Sequence, residues 1–420
     1  MTRFPPLLPT DPLLEAVAAC APLPVEDVCL EECLGRTLAS AFLAPVNLPG
    51  FARSLVDGFA VRSADLAGAR ENAPVVLEYG AECRMGSVPD ERLEPGRAAR
   101  ICTGGMLPEG ADAVVPLEWF HAVPGGAAFT RPIGRDAHIQ SADEEARKGE
   151  ELIPAGRVIG PREIGLLAAF GRERIGTRVR PRVAVVSTGD EVVPLGLGPH
   201  PGQVHDANSH TLTAMARAAG AQARAVGPVV DDPFALRAKI EEALTLAEVV
   251  LVSGGSSAGH YDRTLSVFGG LAGCEMLSAG RASGIGGAPI AARVDGRFLW
   301  GLPGHAAAAL MCAEIFVVPL LRKLLGQAER PSFRDGLVAV VLAEPVTSSL
   351  GRRDYIRVVL EPPGSENGPP LARPLRGRPR SLAAPVDALI LCPEDREGFA
   401  AGEMLHARLV LEGLGRGAYH

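Results

Sequence analysis

Aromatic residues are scarce in this 420-residue chain, at 5% against 47% hydrophobic residues overall. Its cores must therefore be packed largely from aliphatic side chains, and the length predicts roughly two to four domains. No Lys/Arg-rich run is dense enough to neutralise a phosphate backbone, and the formal net charge is -7. Both argue against a nucleic-acid partner, because counterion-driven binding needs a basic face. The cysteines number 8 and include no CxxC pair or regular spacing. That disfavours a zinc site or a disulfide framework and suits reduced, mostly buried thiols, with Cys29 and Cys33 expected on one apolar helix face. Long apolar runs are also missing. The longest, Ala306 to Leu321, is interrupted by Glu314 and Pro319 and falls short of a membrane span. The opening MTRFPPLLPTDP has prolines where a signal peptide would carry its apolar core. A soluble, cytoplasmic protein with no membrane partner is expected.

Glycine (49) and proline (36) are abundant, so the chain turns often. Residues 11 to 43 read as helical, with Leu13, Leu14, Val17 and Ala18 on one face and Asp11 able to cap the start. From Pro45 to about Pro132 the pattern changes to short β-rich runs such as APVVLEY and DAVVPLEW. A polar stretch, DEEARKGEE, then leads into a helix over PREIGLLAAFG with Gly171 as its C-terminal cap. From Arg180 strands and helices alternate: RVAVVST, HTLTAMARAAG, ARAVGPVV, PFALRAKIEEALTLA and VVLVSGG. This order predicts a parallel sheet with helices on both faces and ligands beyond the carboxyl ends of its strands. After Pro331 the pattern is β again, in LVAVVLAEPV, YIRVVLE, ALILCPE and HARLVLE. The fold class expected is a multidomain α/β protein: a central doubly wound, mostly parallel α/β sheet with β-rich N-terminal and C-terminal domains.

Three loops follow the predicted strands. VAVVSTGDEVVP places Ser187, Thr188, Gly189, Asp190 and Glu191 just after a buried strand, where backbone N–H groups and hydroxyls face a crevice. Carboxylates there would repel a bare phosphate but suit one reached through a divalent cation, whereas a helix-capping Asp in an ordinary loop is the plainer alternative. SGGSSAGHYD also follows a buried strand. Its glycines permit close backbone approach, Ser253, Ser256 and Ser257 offer hydroxyls, and the loop delivers Asp262. In GLPGHAAAALMCAEIF a turn over Gly301 to Gly304 precedes a helix whose N-terminus would face the same crevice, with His305 either touching a ligand or serving as a capping or packing residue.

The ordered set SLVDGFAV, RICTGGMLPEGADAVVPLE, RPRVAVVSTGDEVV, GQVHDANSHTL, SGGSSAGHYD and GLPGH resembles the MoeA family of molybdopterin molybdenumtransferases, related to the gephyrin E domain. The resemblance spans nearly the whole chain. It implies an elongated four-part subunit that forms a homodimer: a helical linker and dimerisation part over 1–47 plus 145–179, a β-rich domain over 48–144, an α/β molybdopterin-binding domain over 180–330 and a barrel-like domain over 331–420. It also implies Mg²⁺-dependent insertion of molybdate or tungstate into adenylylated molybdopterin with release of AMP. The molybdopterin adenylyltransferase and recipient molybdoenzymes would be its protein partners. Carried over motif by motif, Asp57, Thr103, Glu191, Asp231 and Asp262 are the catalytic residues, and Glu191 and Asp262 the metal ligands. Ser187, Thr188, Gly189, Ser253, Gly254, Gly255, Ser256, Ser257, Gly259, Pro303, Gly304, His305, Arg352 and Arg357 would hold the pterin substrate. Without the resemblance, Asp57 before Gly58 suits a turn and Asp231 suits a helix cap.

The sequence also departs from the family pattern. In GIGGAP, Ile285 and Ala288 stand where the family carries two lysines. His305 and Ala306 replace the Asn-Pro after Leu-Pro-Gly, Gln140 stands where an arginine is common, and Glu145 stands near the usual aspartate. Each lost cation removes a charge-assisted contact of about 1.5–3 kcal/mol from an oxyanion site. Arg376, Arg378 and Arg380 add charge elsewhere, as ligand contacts or as solvated surface. Two functions stay open: a transferase with a rearranged oxyanion site, or a catalytically impaired relative that holds molybdopterin or the finished cofactor as carrier or regulator. A pyrophosphatase built on the α/β domain is a third, opposed by the β-rich motifs.

Overall fold

The computed structural model describes residues 12–254, 258–279, 289–327, 337–351, 353–364, 368–375 and 382–410. The chain divides into two compact units. One comprises residues 41–154 with 169–171, and the other holds the remainder.

In the larger unit, six strands form one sheet in the order Gln222–Val229, Arg182–Thr188, Val249–Ser253, Arg297–Leu302, Ile290–Val294, Cys274–Ala279. The first four are mutually parallel, and Ile290–Val294 alone runs against the rest, pairing antiparallel on both sides. The uninterrupted apolar runs VAVV and VVLV are explained by burial on both faces. Val183, Val185, Val249 and Leu251 join one core with the helix Ala207–Ala218 and the helical run from Ala306, where the largest buried side chain is Trp300. Their neighbours Ala184, Val186, Val250 and Val252 join a second core with the helices Pro233–Leu246 and Ala258–Gly269. The doubly wound, mostly parallel sheet expected from the sequence is present.

The C-terminal strands Leu337–Leu342, Asp354–Glu361, Leu371–Pro374, Ala388–Cys392 and Met404–Leu409 close into a five-membered barrel around Val340, Val358, Ala388 and Ile390. Closure leaves no sheet edge free to template aggregation.

The N-terminal expectation needs correction. Instead of a helix over 11 to 43, the helix is only Pro12–Ala18, and Val25–Cys29 is a strand paired antiparallel with Arg174–Arg178. Pro22 and Pro24 cannot continue the helix, and the paired strand comes from far along the chain. Cys29 and Cys33 consequently share no helix face: Cys29 ends the strand exposed, while Cys33 is buried beyond a short 3₁₀ turn. The predicted helix before Gly171 is present as Pro161–Ala169, and Gly171 takes the positive φ of 67° expected of a cap.

In the smaller unit, a six-stranded sheet runs Ala113–Pro116, Gly58–Val61, Arg97–Ile101, Val75–Cys83, Gly126–Phe129, Phe120–Val123. Its core gathers much of the molecule's small aromatic stock, with Phe59 and Phe129 edge to face at 5.9 Å.

Candidate functional site

At the carboxyl end of the parallel sheet, the predicted loops converge on a network of hydrogen bonds. Thr188, the last residue of its strand, donates through Oγ1 to Asp231 Oδ1 at 2.8 Å. Asp231 in turn donates its N–H to Asp190 Oδ1 at 3.0 Å. The adjacent Asp232, not Asp231, is the helix cap, accepting from the N–H of Ala235 at 2.8 Å. Asp190 caps no helix either, because the chain passes directly into the strand Val192–Val193. Both acids are thus spent on joining two neighbouring strand ends.

A second network fastens the other two loops. Asn208 Nδ2 donates to Ser253 Oγ at 2.7 Å and to the carbonyl of Gly304 at 2.7 Å, and Ser253 Oγ lies 3.3 Å from the carbonyl of Pro303. The strand reaches Leu302, so the turn is Pro303 to His305 rather than Gly301 to Gly304. His305 is exposed at the helix start and makes no side-chain cap bond, so neither capping nor packing accounts for it. Ser187 is buried, and its hydroxyl donates to Asp206 Oδ1 at 2.7 Å. Asp206 also caps the helix from Ala207, accepting from Ser209 N–H at 3.0 Å and Oγ at 2.6 Å.

One glycine lets two loops pass this closely, and a second makes room for a side chain within its own loop. Gly254 has φ of 136°, and a Cβ there would stand 2.1 Å from the carbonyl of Thr188. Gly189 lies against Glu191: an added Cβ would come within 2.6 Å of Oε2. The carboxylate of Glu191 is exposed and, among the described residues, takes part in no ion pair or side-chain hydrogen bond, although its backbone carbonyl accepts from Val204 N–H at 2.8 Å. An uncommitted acid beside a scaffold of satisfied polar groups is available to a cation. Gly259 and the backbone of Asp262 fall in the helix Ala258–Gly269, while the Asp262 side chain lies outside the described residues. Gly255, Ser256, Ser257, Ile285, Ala288, Arg352, Arg376, Arg378 and Arg380 also lie outside them.

In the smaller unit, Asp57 Oδ1 accepts from both the backbone N–H of Thr103, at 2.7 Å, and its hydroxyl, at 2.9 Å. The two predicted residues are therefore brought together. The Thr103 N–H, then its hydroxyl, hold the Asp57 carboxyl below its ordinary range, assisted by Arg100. Gly58 is obligatory beside it, since a Cβ would come 1.9 Å from the carbonyl of Val115. Gln140 and Glu145 converge on Arg53, whose Nε donates to Gln140 Oε1 at 2.7 Å and whose Nη2 pairs with Glu145 at 2.8 Å. Strand pairing sets Gln140 opposite Arg53.

Arg357 borders a cavity beside the barrel, and none of Thr188, Glu191 and Ser253 is among that cavity's described lining residues. Asn208 and Asp206 were not singled out for roles from sequence. The only signal for Asn208 was its place in the HDANSHTL motif.

The β-rich unit carries a bonded acid and threonine, and the strand ends of the α/β sheet carry an exposed acid with no described side-chain partner. Comparison with known proteins places these features in the molybdopterin-binding class. The MoeA N-terminal region (domain I and II) matches residues 8–171, the probable molybdopterin binding domain residues 184–323, and the MoeA C-terminal region (domain IV) residues 339–407. The chain is 32% identical to molybdopterin molybdenumtransferase 1 of Mycobacterium tuberculosis, covering 93% of this chain and 95% of that one. It is 30% identical to the Bacillus subtilis molybdopterin molybdenumtransferase, covering 92% and 90%. A crystal structure of a molybdopterin biosynthesis MoeA protein from Pyrococcus horikosii superposes with a TM-score of 0.79 at 30% identity, covering 96% of this chain and 99% of that one. The chain belongs to the MoeA family. Among the described residues, no helix is long and apolar enough to cross a membrane.

Proposed function

We propose that this protein is a molybdopterin molybdenumtransferase that inserts molybdate, or tungstate, into adenylylated molybdopterin and releases AMP. The observation carrying this reading is the uncommitted carboxylate of Glu191, set beside two networks that fasten all three strand-end loops. Family membership supports the substrate class, since relatives named for this transfer align over nearly the whole chain.

The donor set fits a hard divalent cation of the Mg²⁺ kind. Among the described residues no three His, Cys, Asp or Glu form a site able to hold a metal ion. A cation of this kind is held by one or two carboxylates and completed by substrate phosphates and water. Glu191 would hold it, with Asp262 as the second acid. When bound, the cation neutralises charge on the phosphoanhydride as AMP leaves. The chain's own groups position the substrate: the backbone around Gly254 approaches the phosphate, and Asn208 keeps Ser253 and Gly304 in register. Asp57, ionised and held by Thr103, accepts a hydrogen bond from a pterin N–H or from a protonated oxygen of the oxyanion. In this reading Asp57 comes from the partner of a homodimer, and the adenylyltransferase and recipient molybdoenzymes stand before and after it.

Purified protein given adenylylated molybdopterin, Mg²⁺ and molybdate should release AMP, and Glu191→Gln should lower the rate about a hundredfold, the scale for losing an electrostatic stabiliser. Tight pterin binding without AMP release would make the protein a carrier, consistent with Ile285 and Ala288 at the family's lysine positions.

A further inference from the structure

Beside the barrel, the helix Ala207–Ala218 and the helix Ala306–Cys312 border a cavity of about 550 Å³, within the range of small-molecule sites. Ala214, Met215, Ala307, Leu310, Met311 and Val386 make its wall mostly apolar. Arg357, from the strand Asp354–Glu361, adds a guanidinium. The other barrel arginines nearby in sequence are matched by acids: Arg353 with Glu394 at 3.4 Å, and Arg373 with Glu344 and Glu361 at 2.6 Å each. Among the described residues Arg357 has no such match. Burial pushes its pKa down, with no acid to oppose the shift. Glu314 also borders the cavity, but it is engaged by other groups of the chain. Glu314 lies in a π-helical segment, Ala313–Val317, a widened turn of a kind that recurs at functional sites.

A cation set against an apolar wall and left uncompensated is costly unless an anion arrives with its own apolar cover. We propose that this cavity binds a small apolar molecule carrying one anionic headgroup, which docks on Arg357 while its body lies along Ala214, Met215, Leu310 and Met311. The described lining of this cavity includes none of Thr188, Glu191 and Ser253, and the proposal does not depend on the transferase reading.

Calorimetric titration of the full chain tests it with decanoate, decyl phosphate and decanol, each below its micelle concentration. The expected result is saturable binding of at least one charged probe, with decanol about tenfold weaker, the scale of a hydrogen bond to a charged group. Preference between decanoate and decyl phosphate then assigns the headgroup. Arg357→Gln should erase the advantage of the charged probe, and Ala214→Trp, which fills the cavity, should abolish binding of all three. Ala307→Leu is a milder filling variant for use if Ala214→Trp lowers the thermal midpoint. Absence of binding by every probe, equal affinity for decanol and the charged probes, or binding unchanged by cavity filling would each overturn the proposal.

Discussion

Asp57 and Glu191 are prepared in opposite ways. In the β-rich unit, Asp57 is committed: two bonds from Thr103 fix its orientation and favour its charged form. At the end of the parallel sheet, the acids that make structure are Asp190, Asp206, Asp231 and Asp232, and Glu191 is left over. The difference separates an acid whose geometry is set before any ligand arrives from one that awaits a cation. Carboxylates that look equivalent in a motif such as STGDEVV take unlike roles, because only some find donors within reach.

The strongest way to break the comparison is to remove the close approach on which the sheet-end scaffold depends. Gly254→Ala should destabilise the α/β unit by roughly 3 kcal/mol or more, since the new Cβ would meet the Thr188 carbonyl at 2.1 Å in a backbone conformation unfavourable to L residues. Denaturant unfolding followed through Trp300 checks this, and an unchanged midpoint would refute it. Next, Glu191→Gln should cost about a hundredfold in AMP release while leaving stability within about 0.5 kcal/mol, as expected where no described partner is lost. A large stability loss would show that Glu191 is structural after all. Asn208→Ala should destabilise by about 2 kcal/mol, because Ser253 Oγ and the Gly304 carbonyl lose their shared donor. Its thermal midpoint should fall, and pterin affinity with it.

The smallest effect concerns the committed acid. Because the folded Asp57 pKa is depressed, the stabilisation from its bonds is present above the ordinary carboxylate range and is lost as pH falls through the lowered value. Thr103→Val removes the hydroxyl but keeps the backbone N–H, so the Asp57 pKa should rise only part of the way towards 3.8. Carboxyl-carbon NMR titration reads this directly, and an unmoved titration would mean that the hydroxyl contributes nothing.

Much of the fold was legible because burial on both faces leaves a mark in the sequence. RVAVV and VVLV could belong only to interior segments, and the turns after them had to lie at strand ends. The helix after HDAN was readable because Asp206 caps it. The segment over 11 to 43 was misread because its decisive partner, Arg174–Arg178, is remote in sequence and local periodicity carries no record of such pairing. Asn208 was overlooked for a related reason: a single amide shows no period, and its two bonds reach residues 45 and 96 positions away.

The sequence by itself determined the alternation of strands and helices from Arg182 to Ser253, the three glycine-bearing loops at the sheet's end and membership in the MoeA family, since apolar period and ordered motifs are local properties of a chain. Only the tertiary structure decided which carboxylates are spent on hydrogen bonds, that Gln140 and Glu145 answer to Arg53, and that Arg357 borders a mostly apolar cavity. Those outcomes depend on distances between groups far apart in sequence, and hydrogen bonding and charge compensation act over distances that only folding creates.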